Sequence, residues 1–363
     1  MDNLRKSVFV AKFIVYNRNT YPQRERGSMV ETVILKKNNL EKATELIRAG
    51  EIVAFPTDTV YGLGADATNE EAVKKVFAAK GRSSDRPLSV LVPNKNALKK
   101  YAKNIPRKAF ALAEEFWPGP LTIILEKNDR LTSAVTGGKK SVGLRMPAEP
   151  LALKFIKACG VPLATPSANS TGRPSPTLAK HVFDDLAGKV PAIIDGGETS
   201  TGVESTVFDY SDPAYPVILR PGNISKEAIE KIIGQEVHIL SESYTENSKA
   251  ANQQNSKHYE PELPVFIVQS NWEEAISKMN EKGEDIAILA DDELIQEFRE
   301  QVVATYSLGK AGDINSANRK FFSGLRTLEK SKATVILARP YKNGESSEVY
   351  MNRLEKAAAG KNI

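Results

Sequence analysis

The sequence predicts an α/β protein in two units: a large twisted open sheet with helices, then a smaller parallel sheet covered on both faces. Three observations carry this. From Met29 onward, short apolar runs alternate with stretches of helical periodicity, the pattern of helix-covered sheets. A block rich in Ser, Glu, Asn, Gln and Lys at 241–257 has no apolar face and divides the chain. At 363 residues the chain also exceeds the usual size of one domain.

Leu40, Ala43, Leu46 and Ile47 repeat at helical spacing over 39–50, and Gly50 closes that helix. Residues 51–55 form a short buried strand stopped by Pro56. Asn69 caps a helix running to Lys80, with Val73, Val76 and Phe77 on one face. Strands are expected at 88–92, 121–125, 141–145, 161–165, 192–195, 205–209 and 217–220. Beyond the polar block, strands are expected near 265–268, 286–289, 302–305 and 334–337. Helices near 272–282, 294–301, 317–329 and 350–359 alternate with them, which predicts a Rossmann-like parallel unit. The expected organisation is a disordered extension at 1–28, a first domain at 29–240, a linker at 241–263 and a second domain at 264–363.

The formal charge of +5 is concentrated at the start. Six cations against two carboxylates give residues 1–28 a charge of +4, which leaves +1 for the body. A nearly neutral body argues against broad binding to a phosphate backbone. The apolar pieces at 8–11 and 13–16 are split by Lys12 and too short to cross a bilayer, so no membrane association is expected. The single cysteine, Cys159, cannot form an intramolecular disulfide, and a cytoplasmic location is expected. Its apolar helix-end setting reads as core.

Polar residues cluster directly after strands of the first unit, where open α/β sheets hold ligands. Thr57, Asp58, Thr59 and Tyr61 follow the strand ending at Phe55; Thr165 to Asn169 follow the strand residues 161–164; Arg220 ends the strand at 217–220. Lys80, Arg82, Arg86, Arg145, Arg173 and Arg220 lie near these loops, and converging arginines would suit an anionic ligand. Familiar sites are absent. Gly62-Leu63-Gly64-Ala65-Asp66-Ala67 fits G-x-G-x-x-A but starts too far past the strand. There is no P-loop, no G-x-S-x-G elbow and no readable metal site.

Phe55-Pro56-Thr57-Asp58-Thr59-Val60-Tyr61-Gly62-Leu63, Lys80-Gly81-Arg82, Trp117-Pro118-Gly119-Pro120-Leu121-Thr122 and Val142-Gly143-Leu144-Arg145-Met146-Pro147 resemble the YrdC-like domain. Pro166-Ser167-Ala168-Asn169, Gly202-Val203-Glu204-Ser205-Thr206-Val207 and Arg220-Pro221-Gly222 continue the series in the same order. Lys257-His258-Tyr259-Glu260-Pro261, Tyr306-Ser307-Leu308-Gly309 and Met351-Asn352-Arg353-Leu354 resemble the linker and C-terminal domain of the long threonylcarbamoyl-AMP synthases.

The resemblance implies condensation of L-threonine, bicarbonate or CO2, and ATP into threonylcarbamoyl-AMP and pyrophosphate. Other proteins would then transfer the group to tRNA, so tRNA is an indirect partner. By matching motif, Thr59, Arg145, Thr165 and Ser205 would hold L-threonine. Arg82, Arg86, Ser141, Ser167, Asn169, Ser175 and Arg220 would hold ATP, and Lys80 and Arg82 would be catalytic. His258 and Tyr259 would form a lid, and Mg2+ would come with ATP. Ser256 and Leu91 depart from the family's usual residues. An RNA-binding module without turnover, a carbamoyl-transfer enzyme and a relative that has lost the chemistry stand as alternatives.

Overall fold

The computed structural model describes residues 30–240, 258–341 and 345–363. The expectations for residues 1–28, for the polar linker and for Ser256 lie outside them. The first unit runs β1 (Val33–Lys36), α1 (Leu40–Arg48), β2 (Val53–Phe55), β3 (Gly62–Asp66), α2 (Glu70–Lys80), β4 (Val90–Leu91), α3 (Ala97–Tyr101) and α4 (Arg107–Phe116). It continues β5 (Leu121–Glu126), α5 (Ser133–Thr136), β6 (Ser141–Arg145), α6 (Pro150–Cys159), β7 (Leu163–Ala164) and α7 (Ala179–Leu186). It closes with β8 (Ala192–Asp195), β9 (Thr206–Asp209), β10 (Val217–Arg220), α8 (Lys226–Ile233) and β11 (His238–Ile239).

Eleven strands form one mixed sheet in the order β1-β8-β2-β3-β7-β4-β6-β5-β9-β10-β11. Alternation along β2 sends Ala54 into one apolar cluster and Val53 and Phe55 into another, so both faces of this region are buried. Helix signals in the sequence translate directly. Asn69 caps α2 by accepting from the Ala72 N–H, and Gly81 ends it in the left-handed region at φ 61°.

Three strands of this sheet, β1, β3 and β11, lie outside the expected set, and β3 shows why. β3 pairs antiparallel with both β2 and β7, yet its run Gly-Leu-Gly-Ala-Asp has neither β-branched residues nor polar alternation. Packing explains the glycines: a Cβ at Gly62 would lie 2.3 Å from Thr165 Cγ2, and one at Gly64 would lie 2.7 Å from Phe55 Cε1.

The second unit comprises β12 (Val265–Ile267), α9 (Trp272–Glu281), β13 (Ile286–Ala290), α10 (Asp292–Phe298), β14 (Ala304–Ser307), α11 (Ile314–Leu328), β15 (Val335–Ala338) and α12 (Glu345–Ala358). Its strands are all parallel, in the order β12-β15-β13-β14. Apolar clusters cover both sheet faces.

The two units share a core. Val60, Val203 and Tyr259 belong to the same apolar cluster as Phe321, Phe322 and Leu325 of α11. Arg326, fully buried on α11, donates from Nη1 and Nη2 to the two Asp185 carboxylate oxygens at 3.0 and 2.8 Å, and from Nε to the Pro174 carbonyl at 3.2 Å. Arg173 donates to Glu329 at 2.6 Å, so this arginine serves the domain boundary. Gly202, at φ 73°, is required by the same contact, because a Cβ there would lie 2.1 Å from the Arg319 carbonyl oxygen.

Two outcomes follow for stability. Arg326→Ala strands the buried Asp185 charge and lowers the unfolding free energy by about 3–5 kcal/mol in denaturant titration. His181 sits beside this interface with Nδ1 accepting from the Thr177 N–H at 3.3 Å, and burial, then Arg326, holds its pKa down to about 4 from 6.5. Between those values the unfolded chain binds a proton that the folded chain does not, so stability falls as pH drops from 6.5 toward 4. In His181→Gln the pH dependence of the melting midpoint is shallower across that window.

Candidate active site

The site is built where strand-end loops of the first unit meet. The loop after β2 is rigid because its polar groups satisfy one another: the Thr57 hydroxyl donates to the Val60 carbonyl at 2.7 Å and lies 2.9 Å from the Thr59 hydroxyl. Arg145, at the end of β6, donates to Asp58 at 2.5 Å, to Thr59 Oγ1 at 2.9 Å and to the Gly119 carbonyl at 3.0 Å. These bonds occupy three of the five N–H donors of this buried guanidinium. The loop after β7 is tied to the first one: Leu63 N–H donates to the Pro166 carbonyl and Ala168 N–H to the Tyr61 carbonyl, each at 2.8 Å.

A cavity opens between these loops. Its lining includes Thr57, Thr59, Ser89, Leu91, Thr122, Thr165, Ser167 and Ser205, together with Arg82, Arg145, Arg220 and Glu204. Ser205 links two other lining residues. Its hydroxyl is 2.8 Å from the Thr122 hydroxyl, and its carbonyl accepts from Arg220 Nε and Nη2 at 3.1 and 2.9 Å.

The cations Arg82, Arg86 and Arg220 crowd each other. Burial, then Arg86 and Arg220, pushes the Arg82 pKa down to about 10. Arg82 makes a single 3.2 Å bond, from Nη2 to the Pro87 carbonyl, and its buried Nε has no hydrogen-bond partner. An unpaired buried donor among mutually repelling guanidiniums is costly without a ligand, and an anion relieves both penalties.

Several expected site residues stand behind this wall. Lys80, expected to be catalytic, is absent from the lining; its Nζ donates to the carbonyl oxygens of Ser167 and Asn169 and so positions that loop. Burial, then Arg82, pulls its pKa down to about 7, and ammonium and neutral amine can each donate to both carbonyls. Asn169 Nδ2 donates to the Ser170 and Arg173 carbonyls at 3.0 and 2.9 Å. Ser175 is buried and donates to Glu204 at 2.5 Å. Ser141 opens β6 while Arg145 ends it, about 13 Å along the strand at the usual rise. Arg86 lies outside the lining but presses electrostatically on Arg82 and His258.

His258 and Tyr259 belong to the part of the expected linker that the structure describes. Tyr259 is buried against Phe322 with ring centroids 5.0 Å apart. Its hydroxyl reaches Glu204, and its pKa is pushed up to about 12 by burial first and Glu204 second. Burial, then Lys356, Arg86 and Arg82, holds His258 down to about 4, so its ring is neutral at pH 7. Sequence reasoning did not assign roles to Thr57, Ser89, Thr122 or Glu204. Glu204 stood inside a quoted motif, but its partner, Arg353, is 149 residues away.

An open mixed sheet with a cation-rimmed cavity at its loop ends, backed by a docked parallel α/β unit, defines a two-domain YrdC-like enzyme. Residues 45–222 match the family described as "Telomere recombination", and residues 224–359 match "Threonylcarbamoyl-AMP synthase, C-terminal domain". The chain is 41% identical over 325 residues to a threonylcarbamoyl-AMP synthase of Pyrococcus abyssi, covering 87% of this chain and 93% of that one. It is 40% identical over 329 residues to the Bacillus subtilis threonylcarbamoyl-AMP synthase, covering 89% and 94%. A crystal structure of P. abyssi Sua5 complexed with L-threonine matches with a TM-score of 0.82 at 38% identity, over 92% of this chain and 98% of that one. The chain belongs to the threonylcarbamoyl-AMP synthase family.

If the Arg82 guanidinium faces the reacting anion, replacing it by alanine is expected to lower kcat/KM by about 10²–10³-fold, since a preorganised cation is removed. A thermal melt should stay near that of the wild type, because the side chain makes one long hydrogen bond.

Proposed function

We propose that this chain condenses L-threonine, bicarbonate or CO2, and ATP to L-threonylcarbamoyladenylate and pyrophosphate. The observation that carries the reading is the make-up of the cavity lining. Hydroxyls backed by the Asp58–Arg145 pair share the lining with Arg220 and with Arg82, whose buried Nε is unpaired. The first suits a small amino acid; the second suits a polyphosphate.

In this reading Thr59, Thr165 and Ser205 hold the ammonium and hydroxyl of L-threonine, and the uncommitted N–H groups of Arg145 meet its carboxylate. The amine, once neutral, attacks CO2; a carbon–nitrogen bond forms, a proton leaves and a carbamate results. A carbamate oxygen then attacks the α-phosphorus of ATP, and the bond to the bridging oxygen breaks to release pyrophosphate. Arg82, Arg86 and Arg220 neutralise the charge that grows on the leaving oxygens, so catalysis rests on positioning and electrostatics.

Mg2+ arrives on the triphosphate as part of the substrate. Glu204, the carboxylate of the lining, is engaged by Ser175 and Arg353, and among the described residues no group of three or more His, Cys, Asp or Glu gathers as a metal site. His258 and Tyr259, with Tyr259 reaching the lining residue Glu204, would act as a lid that shields the labile intermediate from water. The product is a mixed anhydride that a separate transferase consumes, delivering the group to tRNA. A cytoplasmic location fits a chain whose only cysteine, Cys159, is buried with its thiol pushed up to about 12. Among the described residues no helix is long and apolar enough to cross a membrane.

Pyrophosphate release from ATP tests the reading. It should require both L-threonine and bicarbonate, and release that ignores threonine would overturn the proposed substrate.

A further inference from the structure

Glu204 presents a problem of charge. It lines a cavity proposed to bind a polyanion, and it stands close enough to influence Arg220 electrostatically. A carboxylate free to rotate there would pair with Arg220 or Arg82 and compete with phosphate oxygens for them. Instead it is held from behind. Its Oε1 accepts from Ser175 at 2.5 Å, and its Oε2 accepts from Nε and Nη2 of Arg353 at 3.3 Å each.

Arg353 lies on α12 of the C-terminal unit and has no exposed surface. Its Nη1 donates to the Pro221 carbonyl at 2.7 Å. One guanidinium therefore grips the residue before Ser205 and the residue after Arg220. Arg220, in turn, spends its Nε and Nη2 on Ser205. Gly202 and Val203, just upstream of Glu204, are pressed against α11, so the same loop is braced twice by the second unit.

We propose that Arg353 is a positioning residue for the nucleotide side of the site, holding the Glu204 carboxylate away from the phosphate-binding arginines and fixing the Ser205–Arg220 contact. The proposal rests on the ATP reading of the cavity and extends it: the C-terminal unit supplies the brace that keeps the cations available. Lysine cannot replace this grip, because a point charge cannot span Glu204 and Pro221 with a planar fork.

Steady-state kinetics of the full chain, with separate KM values for ATP and L-threonine, test it. Arg353→Met should raise KM for ATP by about tenfold or more while KM for L-threonine changes by less than about twofold. Adding Glu204→Gln to that variant removes the competing charge and should return KM for ATP to within about threefold of the wild type. Arg353→Lys serves if Arg353→Met does not fold, and it should raise KM for ATP severalfold. Equal changes in both KM values, no change in either, or a double variant as impaired as the single one would overturn the proposal. Direct titration of the wild type with a fluorescent ATP analogue separates the two levels. Absence of binding overturns the ATP reading itself, whereas wild-type binding that Arg353→Met leaves unchanged overturns only the role of Arg353.

Discussion

Two arginines with almost no exposure, Arg326 on α11 and Arg353 on α12, set the constraint on which the site depends. A buried guanidinium is tolerable only when its charge is matched and its donors are satisfied. Here every cross-domain partner belongs to a loop around the cavity or to the helix behind it. Arg326 takes Asp185 and the Pro174 carbonyl; Arg353 takes Glu204 and the Pro221 carbonyl. The second unit therefore cannot move away without exposing or stranding these charges. It is part of the scaffold that shapes the site.

The same logic runs inward. Asp185 also accepts from the Ser170 N–H, and Ser170 is next to Asn169, whose carbonyl takes the Lys80 bond. Lys80 holds the Ser167–Asn169 loop, and that loop is tied in turn to the strand carrying Gly62. A continuous hydrogen-bonded path thus links α11 to the cavity rim. Rigid loops allow Arg82, Arg86 and Arg220 to stay near one another despite their repulsion, an arrangement that costs folding energy and favours an anionic ligand.

Much of the fold was legible because period and punctuation are local. Helix α2 announces itself through Asn69, its apolar face and Gly81; β13 and β15 of the second unit are continuous apolar runs. β3 was not legible, since its glycines are chosen for close approach to Thr165 and Phe55 rather than for strand propensity. The loops after β2, β7 and β10 were recognisable as ligand-bearing from their position after strands. Which of their side chains reach the cavity was a different matter. Lys80, Asn169 and Ser175 carry the same polar chemistry as Arg82, Ser167 and Ser205, yet they turn toward carbonyls and Glu204.

The sequence by itself determined the class of fold, the order of most elements, the motifs of the family and the set of polar groups available for chemistry. These follow from local periodicity, turn residues and short spacings. Only the tertiary structure decided the partners: Asp58 with Arg145 across 87 residues, Asp185 with Arg326 across 141, and Glu204 with Arg353 across 149. Burial makes such pairings obligatory but does not encode them locally. A charge seen in sequence becomes a ligand-binding group or a brace only when packing decides what lies within hydrogen-bond reach of it.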